Sequence, residues 1–119
     1  MAPPTRGEIW SVRLPAKPDH PHQPRPALVV SSDYRNQVAD DLIVIPIFSI
    51  GAESPTHVRL ARGQGGIKKD SVLFCEELTT LTFDFLVRGP WGPPVDAAIL
   101  RSAVRAVRRA IGEVVPEPL

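Results

Sequence analysis

Arg25-Pro26-Ala27-Leu28-Val29-Val30-Ser31-Ser32-Asp33 is the stretch of this sequence that says most about the fold. Its centre, 27–31, is short and apolar, as is typical of a strand buried on both faces. A core strand seldom begins with an arginine, because a guanidinium stays protonated and needs a partner. We therefore expect the contact that Arg25 makes at the start of this strand to matter for function.

Further short strands are predicted on both sides of this stretch, from alternating or continuous apolar side chains: 8–14, 42–48, 57–60, 71–75 and 85–88. Pro46 lacks a ladder donor, so that end of its strand is expected at a sheet edge or a bulge. Segment 32–36 has the composition of a turn or a short 3₁₀ helix. The pattern indicates a mainly β protein, a small curled sheet or barrel capped by a helix.

Only the C-terminal part of the chain, about 95–111, has a clear helical pattern. Asp96 suits the first turn and Gly112 suits the position just after the last. The predicted apolar face consists of Ile99, Leu100, Ala103, Val104, Val107 and Ile111. The opposite face is rich in arginine, which fits either a solvated surface or a contact with RNA or a partner. Residues 114–119 are expected to fray.

The composition is that of a single domain spanning 1–119, with a net charge of +1 that does not by itself indicate a polyanion partner. The one cysteine, Cys75, excludes an internal disulfide and fits a reducing, cytoplasmic location. No signal peptide or membrane span is predicted. Prolines recur every third position in the loop 15–26, which indicates a stiff segment, either a rigid connector or a pre-ordered binding loop.

Six short motifs occur in an order and spacing that resemble the MazF/PemK (Kid) toxin family: 6–10, 25–31, 42–47, 54–58, 69–73 and 76–78. The resemblance implies an SH3-like small barrel with a C-terminal α-helix, a PemK/CcdB-like fold, and a homodimer. It also implies the toxin of a type II toxin–antitoxin system. Such a toxin cleaves single-stranded mRNA selectively, without metal or cofactor, and is neutralised by a MazE-like antitoxin.

The resemblance assigns Arg25 a catalytic role, because it matches the family's Arg-Pro motif. Cleavage of RNA by its own 2′-OH passes through a phosphorane with extra negative charge, and a planar guanidinium can bind two phosphate oxygens at once. One such donor aimed at developing charge contributes roughly 2.7–4 kcal/mol. The alternative is a structural ion pair of Arg25 with Asp19 or Glu8.

The sequence departs from the family at two positions. Phe48 occupies the place of a catalytic threonine, and a phenyl ring cannot exchange a proton. Ser49 is next to it but should face the other side of the strand, unless a bulge at Pro46 turns the backbone. His20 replaces an upstream glutamate, and is either a general base or an ordinary solvated loop residue. The predicted catalytic residues are therefore Arg25, Ser49 and His20.

The predicted RNA-binding residues are Arg25, Phe48, Ser49, His57, Arg59 and Arg62. Phe48 could stack an unpaired base, or its ring could lie in the core. The spacing of the histidines fits no common zinc site, so no metal is predicted.

Two other functions are open on the sequence. One is a catalytically weakened relative that only binds RNA or antitoxin, for which Phe48→Thr should raise cleavage. The other is a CcdB-like poison that binds gyrase, against which the Arg-Pro motif argues.

Overall fold

Seven antiparallel strands and two α-helices make up residues 2–14 and 24–116, the part of the chain that this computed structural model describes. The strands are β1 (Ile9–Val12), β2 (Arg25–Val29), β3 (Asp41–Phe48), β4 (His57–Leu60), β5 (Ser71–Phe74), β6 (Thr79–Thr82) and β7 (Leu86–Arg88). The helices are α1 (Asp33–Val38) and α2 (Ala97–Ala110). The strand order β4-β5-β3-β2-β1-β7, with β6 beside β3, leaves the sheet open. The expected mainly β fold with a C-terminal helix is confirmed, as an incompletely closed SH3-like sheet.

Strand β3 is central in the sheet: β2 pairs with it on one side, and the two shorter strands β5 and β6 pair with it on the other. On that second side β6 pairs with residues 41–44 and β5 with residues 47–48. The N–H of Val30 donates to the carbonyl of Ile43 (3.0 Å), so the nitrogen of Pro46 faces away from β2 by alternation, into the gap between β6 and β5. β3 as a whole is central rather than at an edge, but Pro46 lies where one side of the strand has no partner, which is the kind of position expected for a residue that lacks an N–H donor.

Segment 32–36, predicted as a turn or 3₁₀ helix, instead begins α1. The hydroxyl of Ser32 caps this helix by accepting a hydrogen bond from the N–H of Arg35 (3.2 Å). Asn36 is only 1% exposed, and its amide exchanges hydrogen bonds with the hydroxyl and carbonyl of Ser31. These two local networks satisfy the polar groups that a turn would have left to solvent.

Helix α2 covers one face of the sheet and buries Leu100, Ala103 and Ala106. Val104 and Ile111, predicted on the apolar face, are 40% and 79% exposed, so that part of the prediction is wrong. Ile111 lies past the last residue of α2, and the buried stripe of the helix is formed by Leu100, Ala103 and Ala106 alone. No helix in residues 2–14 and 24–116 is long and apolar enough to cross a membrane.

The two faces of the sheet have separate buried clusters. Leu28 and its neighbours pack under α2, whereas Ala27 and Val29 belong to the cluster on the other face. Arg25 alternates with Ala27 and Val29 along β2, so its side chain leaves the strand on the face away from α2. The fold thus places the guanidinium of Arg25 at the exposed end of a row of side chains whose other members, Ala27 and Val29, are buried.

Candidate active site

Arg25 is the first residue of β2 and is exposed, while the strand behind it is buried. Its guanidinium carbon lies 4.9 Å from the centroid of the Phe48 ring, a cation–π contact. The carboxylate of Glu8 instead accepts hydrogen bonds from the backbone N–H of Thr5 and the indole N–H of Trp10. Asp19 lies outside the described residues. The guanidinium fork is thus held over an aromatic ring, and among residues 2–14 and 24–116 no carboxylate forms an ion pair with it.

Phe48 ends β3 and begins a row of stacked rings on the same face of the sheet. Its ring centroid is 4.5 Å from that of Phe74, and the two planes are tilted by 51°. Phe74 stacks in turn on the imidazole of His57, at 4.1 Å and 18°. A Cβ on Gly51 would lie 2.6 Å from the Phe74 ring, so only glycine lets the loop after β3 fold over this row. Arg25 therefore rests on a rigid aromatic base.

His57 has both ring nitrogens engaged. Nδ1 lies 2.7 Å from the carbonyl oxygen of Ala52, and Nε2 lies 2.9 Å from a carboxylate oxygen of Glu76. Glu76 also accepts a hydrogen bond from the hydroxyl of Thr56 (3.2 Å). Because both neighbours of the ring accept, the imidazolium form satisfies the site best. His57 therefore fixes the loop 49–54 to β4 and is not available as a general base.

The ionisation of the pair follows from these contacts. Burial works to lower the pKa of His57, but the bonds with Ala52 and Glu76 and the charges of Glu76 and Glu77 outweigh it, and the pKa is raised. Burial works to raise the pKa of Glu76, but the bond and charge of His57 and the bond from Thr56 outweigh it, and the pKa is lowered. The charged pair is favoured near neutral pH.

We expect the stabilisation from this pair to depend on pH. It should be fully present between the ordinary pKa values of Glu76 (4.5) and His57 (6.5), and be lost as the pH rises through the raised pKa of His57 or falls through the lowered pKa of Glu76. Urea unfolding of the wild type and His57→Gln at about pH 6 and about pH 9 checks this. The difference in free energy of unfolding should be larger at the lower pH; an equal difference at both would contradict the assignment.

Ser49 follows β3 and is exposed. The pairing of β3 alternates without a register shift on either side of Pro46, so the bulge that would turn Ser49 toward Arg25 is not found in this stretch. His20 and most of the loop 15–26 lie outside the described residues. The structure thus brings Phe48 to Arg25, whereas Ser49 lies just past the end of β3, where the alternation of the strand no longer sets the direction of its side chain.

Arg59 and Arg62 have different surroundings. Arg59 is opposite Val72, which is itself opposite Phe48, so the three side chains form one row across β4, β5 and β3. Among the described residues Arg59 forms an exposed ion pair with Glu53, with a nitrogen-to-oxygen distance of 3.3 Å. Arg62 lies beyond the end of β4, where its N–H donates to Asp70 (2.9 Å). Arg59 shares the face of Arg25, and Arg62 belongs to a separate turn.

Neither a metal centre nor a reactive thiol is found in the described part. Among residues 2–14 and 24–116, no three His, Cys, Asp or Glu side chains are grouped so that they could hold a metal ion. Cys75 is buried, and burial together with the charge of Glu76 raises the pKa of its thiol to about 12. The cysteine therefore packs as a small apolar side chain.

A family model described as the PemK-like, MazF-like toxin of type II toxin–antitoxin systems matches residues 5–115. The chain belongs to this toxin family. A curated relative, endoribonuclease MazF9 of Mycobacterium tuberculosis, is 34% identical to the toxin over 90 residues, 70% of this chain and 76% of the relative.

Solved structures of the family have the same fold as this toxin. An endoribonuclease in complex with its cognate antitoxin from a mycobacterial species aligns with a TM-score of 0.75 at 21% identity, over 95% of this chain and 99% of that chain. MazF from Deinococcus radiodurans aligns with a TM-score of 0.76 at 20% identity, over 93% and 98%. At such identities the likeness establishes the fold, and the site must be argued from this toxin's own residues.

Two contacts of the toxin's site could not be anticipated from the sequence. Phe74 supports Phe48 from the neighbouring strand, and His57 is the partner of Glu76, a residue in the motif 76–78. The alternation of Val72 and Phe74 along β5 is a signal for a shared face, but the pairing register that places them against Phe48 is long-range.

Proposed function

We propose that this toxin is a sequence-selective endoribonuclease that cleaves single-stranded RNA without a metal ion. The observation that supports it most directly is the exposed guanidinium of Arg25, held over Phe48 at the end of a rigid strand. A fork fixed in this way can donate hydrogen bonds to two phosphate oxygens without losing much conformational freedom. The family, and the name of its mycobacterial relative, point to the same chemistry.

In the proposed reaction the 2′-oxygen of one nucleotide attacks the adjacent phosphorus. A phosphorane forms, the bond from phosphorus to the 5′-oxygen breaks, and the products are a 2′,3′-cyclic phosphate and a 5′-hydroxyl. The 2′-OH loses a proton, and the departing 5′-oxygen gains one. Arg25 stabilises the added negative charge and moves no proton, because a guanidinium stays protonated. Ser49 and His20 are the candidates for the proton transfers, since both nitrogens of His57 are engaged.

We infer the partners from the family and its relatives. A cognate antitoxin that covers the face with Arg25 would block RNA, and the toxin is proposed to work as a homodimer in the cytoplasm, where mRNA is found. Arg25, Phe48 and Arg59 supply the proposed RNA contacts on that face, and His57 contributes by holding the loop. Arg62 has the weakest claim, because it lies past the end of β4.

The experiment is incubation of the purified toxin with a long single-stranded RNA in EDTA, followed by primer extension to map cuts. Cleavage at defined sequences supports the proposal, and intact RNA contradicts it. Ser49→Ala and His20→Ala in parallel test the two candidates for proton transfer, because loss of a general acid or base should slow cleavage near neutral pH and change the pH profile of the rate. RNA that is bound and left intact would indicate the binding-only relative instead.

Phe48 is expected to serve Arg25 as a platform. Phe48→Thr removes the ring, and the lost cation–π contact, about 0.5–2 kcal/mol, should lower cleavage roughly 2- to 30-fold. Phe48→Tyr keeps a ring in the same place and should retain cleavage near the wild-type rate. Single-turnover cleavage of a short RNA measures both. A higher rate for Phe48→Thr would contradict the platform and favour a missing hydroxyl as the defect.

A further inference from the structure

The chain reverses direction directly after α2. Gly112 has φ of +100°. Its N–H donates to the carbonyl of Arg109, and the N–H of Glu113 donates to the carbonyl of Arg108. This pair of bonds is a Schellman motif, which requires a left-handed residue and turns the following chain back along the helix. Of residues 114–119, predicted to fray, the structure describes 114–116, which follow the helix without regular secondary structure. Residues 113–116 are called the tail below.

Two arginines of α2 hold the tail. Arg108 donates to both carboxylate oxygens of Glu113, at 2.8 and 2.5 Å. Arg109 donates to the carbonyls of Val115 (2.8 Å) and Pro116 (3.5 Å), and also to the carbonyl of Pro55 (3.3 Å). Because Pro55 belongs to the loop before β4, the guanidinium of Arg109 ties the tail to the loop that His57 fixes from its other side.

An open cavity of about 820 Å³ lies between the tail and that loop. Its lining comprises the loop 51–55, His57, Arg59, Val72, Arg109 and the tail residues 113–115. The walls are mostly apolar and also include the polar side chains of Glu53, His57 and Arg59, a mixture that is common in small-molecule sites. Its size suits one or two nucleotides better than a folded partner.

The cavity continues the face that bears Arg25. Val72 lies opposite Phe48 on the next strand, about 4.8 Å away, and Arg59 lies one strand farther, about 10 Å from Phe48. Val72 itself is buried beneath the loop that bears Gly51, so an RNA strand bound at Arg25 must pass around this loop to reach the cavity. Arg59 can meet a second phosphate by exchanging its exposed partner Glu53, since such ion pairs contribute little.

We propose that this cavity receives an unpaired nucleotide next to the scissile phosphate, and that the tail, held by Arg109, determines which bases fit; this rests on the proposed ribonuclease function. The loop 51–55 and the tail are the two walls, and Arg109 sets the gap between them. A fixed gap discriminates among bases by shape, whereas a loose wall accepts more of them. Arg109 is a positioning residue, because it acts through the tail.

The test compares the wild type, Arg109→Gln and the control Arg101→Gln, an exposed arginine elsewhere on α2. A randomised pool of 2′-O-methyl RNA, which cannot be cleaved by its own 2′-OH, is bound to each protein, and the retained sequences are counted. A long natural RNA is cleaved in parallel to map sites. We expect Arg109→Gln to reduce the preference at one position by about tenfold, and Arg101→Gln to match the wild type.

Val114→Trp is a second variant, since Val114 is 93% exposed yet lines the cavity, so that folding should be unaffected. It should weaken binding of the pool by narrowing the entrance. Unchanged preferences in Arg109→Gln together with unchanged binding by Val114→Trp would overturn the proposal. Selective binding that depends on Arg109, with no cleavage by the wild type, would uphold the cavity and overturn the nuclease. Binding without sequence preference by the wild type would overturn the role of the tail.

Discussion

Arg25→Ala is expected to slow RNA cleavage by about 10²–10³-fold, because it removes the donor that faces the charge developing on the phosphorane. Arg25→Lys should recover only part of the rate, since an ammonium keeps the charge and lacks the two-pronged fork. Single-turnover cleavage of one short RNA at saturating toxin measures the effect on the chemical step rather than on binding.

The folded state should tolerate the change at Arg25, because the side chain is exposed and belongs to neither buried cluster. Arg101→Ala is a matched control, as it removes an exposed arginine from the helix on the other face. Equal thermal midpoints for the wild type, Arg25→Ala and Arg101→Ala would show that the slower cleavage is not caused by unfolding. Undiminished cleavage by Arg25→Ala would remove this residue from the mechanism.

Leu28→Ala, three residues along the same strand, is expected to lower stability and to leave the cleavage rate of the folded protein unchanged. Leu28 is fully buried under α2, and its truncation should lower the free energy of unfolding by about 2–5 kcal/mol, through lost apolar burial and the cavity left behind. Urea unfolding followed by tryptophan fluorescence measures this loss, and cleavage per folded molecule should be little changed.

Val87→Ala is the control for Leu28→Ala. Val87 lies on β7 and is 45% exposed, so the same kind of truncation should cost well under about 1 kcal/mol. A loss at Leu28 no greater than that at Val87 would mean that the packing of α2 on the sheet is not as described. Together Arg25 and Leu28 test whether one strand separates function from stability by the alternation of its side chains.

Segments with strong local signals were predictable from the sequence. The strand at 57–60 has the predicted bounds, since turn residues precede it and a glycine-containing loop follows. β6 (Thr79–Thr82) was missed, because three of its four side chains are threonines and its apolar contact, Leu81, becomes visible only when β3 is beside it. Local sequence patterns predict a strand that is bounded by clear turn residues. They fail for a strand that forms only because a neighbouring strand pairs with it.

The site shows the same division. Arg25 was predictable from its position before an apolar run, but the ring beneath it depends on the register of three strands. The contacts of the tail were not predictable, because the carbonyls bound by Arg109 have no signature in side-chain sequence. Contacts to backbone groups and pairings between distant strands are the part that sequence reasoning could not supply.

Phe48 and Arg25 both stand where a strand terminates, with their backbones fixed by neighbours and their side chains directed outward. Substitution of such residues should change the free energy of unfolding little. New side chains can therefore be tolerated at these two positions, while the requirement for stability constrains the buried residues of the domain. The chemistry at these two positions can therefore change without loss of the fold. A family built on it can diversify its targets, or lose activity and keep its shape, through single substitutions.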